Sequence, residues 1–395
     1  MRIIMTGQSG LNKSGYLEES KKIFDEEKKS FRYETLGHKM IENYDGKIDE
    51  RTILNLPKNL LDLLQSVTSK KLLEEFDYSK KEEDFLILNT HVIFRWHHGL
   101  FPTLDIDMVL KFEPDMIVCL IDTILNVKKG LKKRDTDFFN FWELFAWREE
   151  EIWLSKFMAD SVGKLLGRNI PFFILPKAQG PKIFANLLIK SNLPKTYISF
   201  PITGITPEEN KRNEEFKSEV KENFIAFDPL SIEDRNLTLA YYTEEEEIKE
   251  KYNKILQSIK TIKEPGKKWS PYIDEYTPLT LTKFEFSGIE LIGRELLSVT
   301  ETIDSQIISR DYMLIDQSDF LVMYIRADKE GEPRISAGCQ SEMIYAYLNA
   351  KPVYVVFSGG EKKLSPWITQ YSEVFNNVSE CLAFILKEHK IKISR

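Results

Sequence analysis

The chain has 395 residues, 42% hydrophobic and 30% charged, with a net charge of −7 at pH 7. That length predicts two or three domains, and the acidic balance argues against a general nucleic-acid binder. No run reaches the roughly 18 apolar residues of a membrane span, and Cys119, Cys339 and Cys381 are too scattered for a metal pattern and fit a reducing compartment. The expectation is a soluble, cytoplasmic protein without membrane or nucleic-acid partners. The first apolar run, Ile3–Met5, reads as a core strand and not a signal peptide. It leads into Gly7-Gln-Ser-Gly-Leu-Asn-Lys-Ser14. The phosphate-cradling loop pattern is G-x-x-x-x-G-K-[ST]. The loop matches at Gly7, Lys13 and Ser14 and departs at Asn12, a residue type that tolerates positive φ. Such a loop lets successive N–H groups meet phosphate oxygens, with Lys13 reaching the outer phosphates and Ser14 offering a hydroxyl to magnesium. Ser9 and Gly10 belong to the same cradle.

Further apolar runs, Phe85–Leu88, Met116–Leu120 and Pro171–Leu175, predict strands. Helical stretches lie between them: Leu17–Lys28, Asn59–Glu75 and Phe141–Leu166. Strand–helix alternation predicts an α/β domain over residues 1–190 with a mainly parallel sheet covered by helices. Lys190–Lys195 reads as a linker. A second such domain is predicted over 196–395, with strands Thr196–Phe200, Phe224–Phe227, Phe320–Ile325 and Pro352–Phe357. Its helices fit Pro207–Asn223, Gly338–Leu348 and Val378–His389. A long insertion occupies about 231–304; its acidic run Glu244–Lys251 predicts a solvated helix, followed by a Pro/Gly/Lys stretch at Lys263–Trp269. Trp142, Trp147 and Trp153 lie on one helical stretch and predict core or partner packing. The adjacent His97 and His98 lack a carboxylate or Cys frame and make poor zinc ligands.

The first half resembles the archaeal-type adenylate kinases and their nucleoside monophosphate kinase relatives. Five landmarks in order carry the resemblance: Leu36-Gly-His-Lys-Met40, Asp49-Glu-Arg-Thr-Ile-Leu-Asn-Leu-Pro57, Asn89-Thr-His91, His97-His-Gly-Leu-Phe-Pro102 and Glu113-Pro-Asp-Met-Ile-Val-Cys-Leu120. The resemblance implies a P-loop kinase-like fold binding ATP with Mg²⁺. It also implies a lid whose arginines clamp transferring phosphates. The lid region here is Lys128-Lys-Gly-Leu-Lys-Lys-Arg-Asp135, with Arg134 its only arginine, and Asn89 stands where the family has a carboxylate near magnesium. Asn12, Asn89 and the thinned lid together point toward weak or lost phosphoryl transfer.

The second half carries Ser309-Arg-Asp-Tyr-Met-Leu-Ile-Asp-Gln-Ser-Asp319 before a strand and Ser336-Ala-Gly-Cys-Gln-Ser-Glu342 opening a helix. It resembles the nucleoside 2-deoxyribosyltransferase family, in particular the branch that hydrolyses 2'-deoxynucleoside 5'-monophosphates. The resemblance implies a Rossmann-type, three-layer domain without a cofactor. Glu342 would be the nucleophile or oxocarbenium stabiliser. Asp311 would orient the sugar or protonate the leaving base, and Tyr197 would sit beside sugar or base. Ser336 would help hold the phosphate, with Gly338 and Ser199 also in the substrate site. Phe200 and Pro201 replace a Gly-Ser pair used for phosphate in that branch. Shared sites between subunits in this family imply a homodimer or larger. The combined expectation is a nucleotide-metabolising fusion that cleaves or transfers at an N-glycosidic bond and binds nucleotides or nucleosides. An active monophosphate kinase with a nucleotide-binding C-terminal domain, or a non-catalytic nucleotide sensor, stand as alternatives.

Overall fold

Ile3, Ile4 and Met5 are fully buried, as expected of a strand covered on both faces in a parallel sheet. They belong to β1 (Arg2–Thr6) of the computed structural model, which describes residues 1–79, 82–96, 99–134, 136, 138–202, 204–235, 237, 283–286, 289–292 and 299–389. The fold is α/β, built on two five-stranded parallel sheets.

The first sheet contains β1, β2 (Phe31–Thr35), β3 (Phe85–Asn89), β6 (Met116–Ile121) and β7 (Phe172–Pro176), in the order β2-β3-β1-β6-β7. A hairpin, β4 (Ile93–Trp96) and β5 (Gly99–Pro102), intervenes. The second sheet contains β8 (Lys195–Ser199), β9 (Ile225–Phe227), β12 (Phe320–Tyr324), β15 (Val353–Val356) and β16 (Glu373–Phe375), in the order β16-β15-β12-β8-β9. Two small hairpins accompany these: β10 (Lys283–Phe286) with β11 (Ile289–Ile292), and β13 (Arg326–Ala327) with β14 (Pro333–Arg334). The described helices are α1 (Lys13–Glu26), α2 (Leu36–Asn43), α3 (Lys58–Ser79), α4 (Ile106–Phe112), α5 (Ile124–Lys133), α6 (Phe141–Leu166) and α7 (Pro181–Ile189). They continue with α8 (Pro207–Asn223), α9 (Thr300–Asp316), α10 (Ala337–Leu348), α11 (Pro366–Thr369) and α12 (Val378–Glu388).

Local sequence explains where the long helices start. Asn140 and Glu143 form a reciprocal capping box at α6, and Thr206 and Glu209 form another at α8 with Pro207 at its first turn. Helix α6 stops at Gly167, whose φ of 67° suits a residue without Cβ. Of the three tryptophans on this stretch, Trp147 is fully buried, while Trp142 and Trp153 are about half exposed.

Contacts divide the chain into two compact units. One comprises Met1–Ser14, Arg32–Pro171 and Ile232–Ile307; the other comprises Gly15–Phe31, Phe172–Ser231 and Ile308–Arg395. The described ends of the insertion thus group with the first unit and not with the C-terminal one that the sequence suggests. Within that unit lies a buried polar cluster: Arg148 of α6 bonds Asp234 at 2.6 Å and Gln306 at 2.8 Å. The acidic run at 244–251 and the stretch at 263–269 lie outside the described residues, as do His97, His98 and Asp135.

In the second unit, strand alternation sorts β8 into two faces. Ile198, with Phe200 beyond the strand, joins the apolar cluster of Phe216, Val220, Phe320 and Val322. Tyr197 and Ser199 point the other way, toward α10.

Candidate functional site

In the first unit the loop after β1 borders a cavity of about 420 Å³. Ser9, Gly10, Asn12, Lys13, Ser14 and Arg134 all line it, so six of the seven phosphate-site residues named from the sequence meet at one place. Parts of four landmarks join them, among them Gly37 and Met40, Asp49 and Glu50, and Asn89 with His91. Asn12 adopts φ 55°, the left-handed conformation its side chain tolerates. Gly7 does not line the cavity; its N–H donates to Glu151 Oε1 at 3.0 Å.

Glu151 is a buried carboxylate that the sequence did not single out. It also accepts N–H bonds from Val92 and Ile93, at 2.9 and 3.1 Å, and so ties the loop after β1 to the segment after β3. Burial raises its pKa, opposed chiefly by the Lys13 charge. The Lys13 ammonium turns back on its own loop, 2.5 Å from the Gly7 carbonyl and 3.4 Å from that of Gln8, with His91 Nδ1 at 3.3 Å. Burial pushes its pKa down to about 8, against the attraction of Glu151. His91 is pushed well below the ordinary range by burial and by Lys13. Arg134, the C-cap of α5, reaches Glu50 at 3.2 Å, and Glu50 also accepts from His38.

Lys128–Lys133 folds as part of α5, packed tightly on the loop after β1. A Cβ on Gly130 would lie 1.9 Å from the Gly10 carbonyl oxygen. Gly130→Ala is therefore expected to destabilise the first unit by about 1–3 kcal/mol, the usual cost of overpacking. A urea midpoint unchanged from wild type would contradict this close approach.

The side chains that hydrogen-bond beside Ser14, Asn89 and Thr35, are neutral. Asn89 Nδ2 donates to Ser14 Oγ at 3.4 Å and to Thr35 Oγ1 at 3.0 Å, while Asn89 Oδ1 is buried without a partner. Magnesium usually takes one or two carboxylates plus phosphate oxygens and keeps several waters. Ser14 Oγ fits as a ligand and Asn89 Oδ1 as an acceptor for a metal-bound water, so the set fits a hydrated ion whose neutralising charge comes from phosphates. Among the described residues no group of three or more His, Cys, Asp or Glu is placed to hold a metal.

In the second unit the counted strand order is 2-1-3-4-5, and the chain connections reverse direction between β8 and β12. Ligands of doubly wound sheets bind at the carboxyl ends of the strands at such a reversal. Ser199 ends β8 on that side, and Tyr197 lies two residues before it on the same face. Tyr197 Oη donates to Glu342 Oε1 at 2.8 Å and Ser199 Oγ donates to Glu342 Oε2 at 2.5 Å. Burial lifts Glu342 to about 7; Asp311 pushes it further up, while the Ser199 and Tyr197 hydroxyls and Arg310 oppose the rise. Tyr197 is raised well above the ordinary phenol, first by burial and then by the Asp311 and Glu342 charges. Asp311 is itself buried on α9, where Arg310 grips its Oδ1. Ser336 caps α10, accepting the Cys339 N–H at 3.2 Å. Gly338 sits in the first turn, its missing Cβ 3.8 Å from Ser336 Oγ, so a side chain there is sterically tolerable. Three of the named residues, Glu342, Tyr197 and Ser199, are thus directly bonded, and Asp311 acts on them through its charge.

Among the described residues no helix is long and apolar enough to cross a membrane. No protein-family model matches the chain, and no curated protein matches it.

Proposed function

We propose that the second unit cleaves or transfers at the N-glycosidic bond of a (deoxy)nucleoside or its 5'-monophosphate, and that the first unit binds ATP or another nucleotide. The observation that carries this reading is the Glu342 carboxyl group, held at both oxygens by Tyr197 and Ser199 near a second carboxylate, Asp311. Breaking the bond requires a carboxylate against an electron-poor sugar carbon. Ionised Glu342 attacks the anomeric carbon; the C–N electron pair leaves with the base, which takes up a proton from solvent. Water, or a second base, then attacks the same carbon, loses a proton to solvent and releases Glu342 as the carboxylate. The Tyr197 and Ser199 hydroxyls fix the carboxylate oxygens, and Asp311 orients the sugar.

In the first unit, Gly10 to Ser14 would cradle phosphates, Arg134 would meet them from α5, and Ser14 with Asn89 would hold a hydrated Mg²⁺. The ion would supply charge neutralisation for the phosphates. The neutral groups beside Ser14 favour holding a nucleotide over transferring its phosphoryl group. The family identities of both units, the shared-site oligomer and a cytoplasmic setting belong to the same proposal.

The test is chromatography for free base after incubation with deoxy- and ribonucleosides and their 5'-monophosphates, with and without ATP–Mg²⁺. Base release from at least one compound is expected. Its rate should climb with pH through about 7, because only the ionised Glu342 carboxylate attacks. No base from any compound would sink the reading and leave nucleotide sensing by the first unit.

A further inference from the structure

Residues one apart on a helix do not face each other, yet Arg310 curls round to its own neighbour. Its Nε and Nη2 both donate to Asp311 Oδ1, at 3.0 and 2.7 Å. Nη2 also donates to the Pro229 carbonyl at 3.2 Å, in the segment after β9. The side chains are only 7% and 12% exposed, so this guanidinium is enclosed with the carboxylate it binds. An enclosed charge pair is costly unless its geometry is well satisfied, and here Nε and Nη2 of the fork meet the same Asp311 oxygen.

We propose that Arg310 is a positioning residue of this site: it fixes the Asp311 carboxylate against α9 and the Pro229 carbonyl, and sets the charge that Glu342 and Tyr197 experience. Among the described residues, the groups that act on Glu342 are Tyr197 and Ser199 from β8, Arg310 and Asp311 from α9, and Cys339 from its own helix. Within that set Arg310 is the only cation, and it opposes the Asp311 charge at both Glu342 and Tyr197. Without it, two carboxylates would confront each other across the site, and the proton on Glu342 would be held to higher pH.

The activity readout rests on the glycosidic reading; the titration readout does not. Full-length wild type, Arg310→Met and Arg310→Lys are compared in two measurements. The first is the titration of the Glu342 carboxyl carbon by NMR, assigned by its loss in Glu342→Gln. The second is kcat and KM against pH for whichever substrate wild type cleaves. Arg310→Met should move the Glu342 titration, and the acid limb of kcat with it, upward by about 0.5–1 pH unit. Arg310→Lys keeps the charge but loses the planar fork. It should leave the titration within a few tenths of wild type while lowering kcat about ten- to hundredfold. An unmoved Glu342 titration in folded Arg310→Met overturns the inference. Should Arg310→Met not fold, wild-type kcat in Arg310→Lys overturns it. Absence of activity in wild type defeats the glycosidic reading alone, because the titration still decides the role of Arg310.

Discussion

Glu342→Gln is expected to lower base release by about three orders of magnitude, within the range that a positioned acid–base group supplies and consistent with the loss of the attacking atom. Glutamine keeps the size and one acceptor oxygen, so Tyr197 Oη or Ser199 Oγ can still donate to it. What it removes is the negative charge and the nucleophilic oxygen. The substitution also removes the group that titrates near 7, so any residual rate should lose its acid limb. Steady-state rates across pH 5.5 to 8.5, beside a thermal melt, separate this from misfolding. Burial of a neutral amide in place of a carboxyl that burial already disfavours in its charged form should leave the melting temperature at or above that of wild type. A variant that releases base at even a tenth of the wild-type rate would remove Glu342 from the chemistry. The site would then have to be rebuilt around Asp311.

Much of this framework was readable from the chain because buried parallel strands announce themselves as apolar runs. Ile3–Met5, Phe85–Leu88, Met116–Leu120 and Phe320–Ile325 were each placed within a residue or so of β1, β3, β6 and β12. Helices with explicit caps were placed as well: Phe141–Leu166 and Pro207–Asn223 coincide with α6 and α8, whose starts carry capping boxes. Two of the missed strands lack an apolar run. β2 buries only Phe31 of its five residues, and β16 is a three-residue edge strand without a buried position. α9 was read as a lead-in to a strand because its polar sequence shows no clear stripe, although it carries both Arg310 and Asp311.

The candidate sites divide the same way. Tyr197, Ser199 and Glu342 were named through a family resemblance, and the two-residue alternation of β8 explains why the first two share a face. The turn after β1 was legible as backbone because glycine and asparagine mark its unusual conformation, and Asn12 does take positive φ. Glu151 was not legible: it ends the run Glu149-Glu-Glu151 in a long helix, and such runs usually face water. Only folding reveals that this one is 1% exposed and bonded to three backbone N–H groups. Arg310 was equally silent, since an Arg–Asp neighbour pair on a helix carries no expectation of contact. Asp234 lay in a segment read as an insertion, with nothing local to tie it to Arg148.

That last pair gives the largest expected effect on stability. Arg148 Nη1 lies 2.6 Å from Asp234 Oδ2, with side chains 5% and 1% exposed. The guanidinium also donates to Gln306 Oε1 at 2.8 Å and stacks over the Phe145 ring. Asp234 Oδ1 in turn accepts the Ile124 N–H at the start of α5, where a negative charge favours the helix N-terminus. Asp234→Ala strands a buried cation and takes the acceptor from the Ile124 N–H, although Thr123 still caps α5, and should cost the first unit about 3–5 kcal/mol. The consequence should be traceable along α5, since Gly130 on that helix packs against Gly10 and its C-cap is Arg134. Replacing both partners, Arg148→Met with Asp234→Leu, removes the uncompensated charge and should recover most of the loss. Urea unfolding of wild type, the single and the double variant reads all three, with hydrogen exchange of the α5 amides as the local probe. If Asp234→Ala lies within about 1 kcal/mol of wild type, at the level of an exposed pair, the cluster does not hold the described ends of the insertion to the first unit.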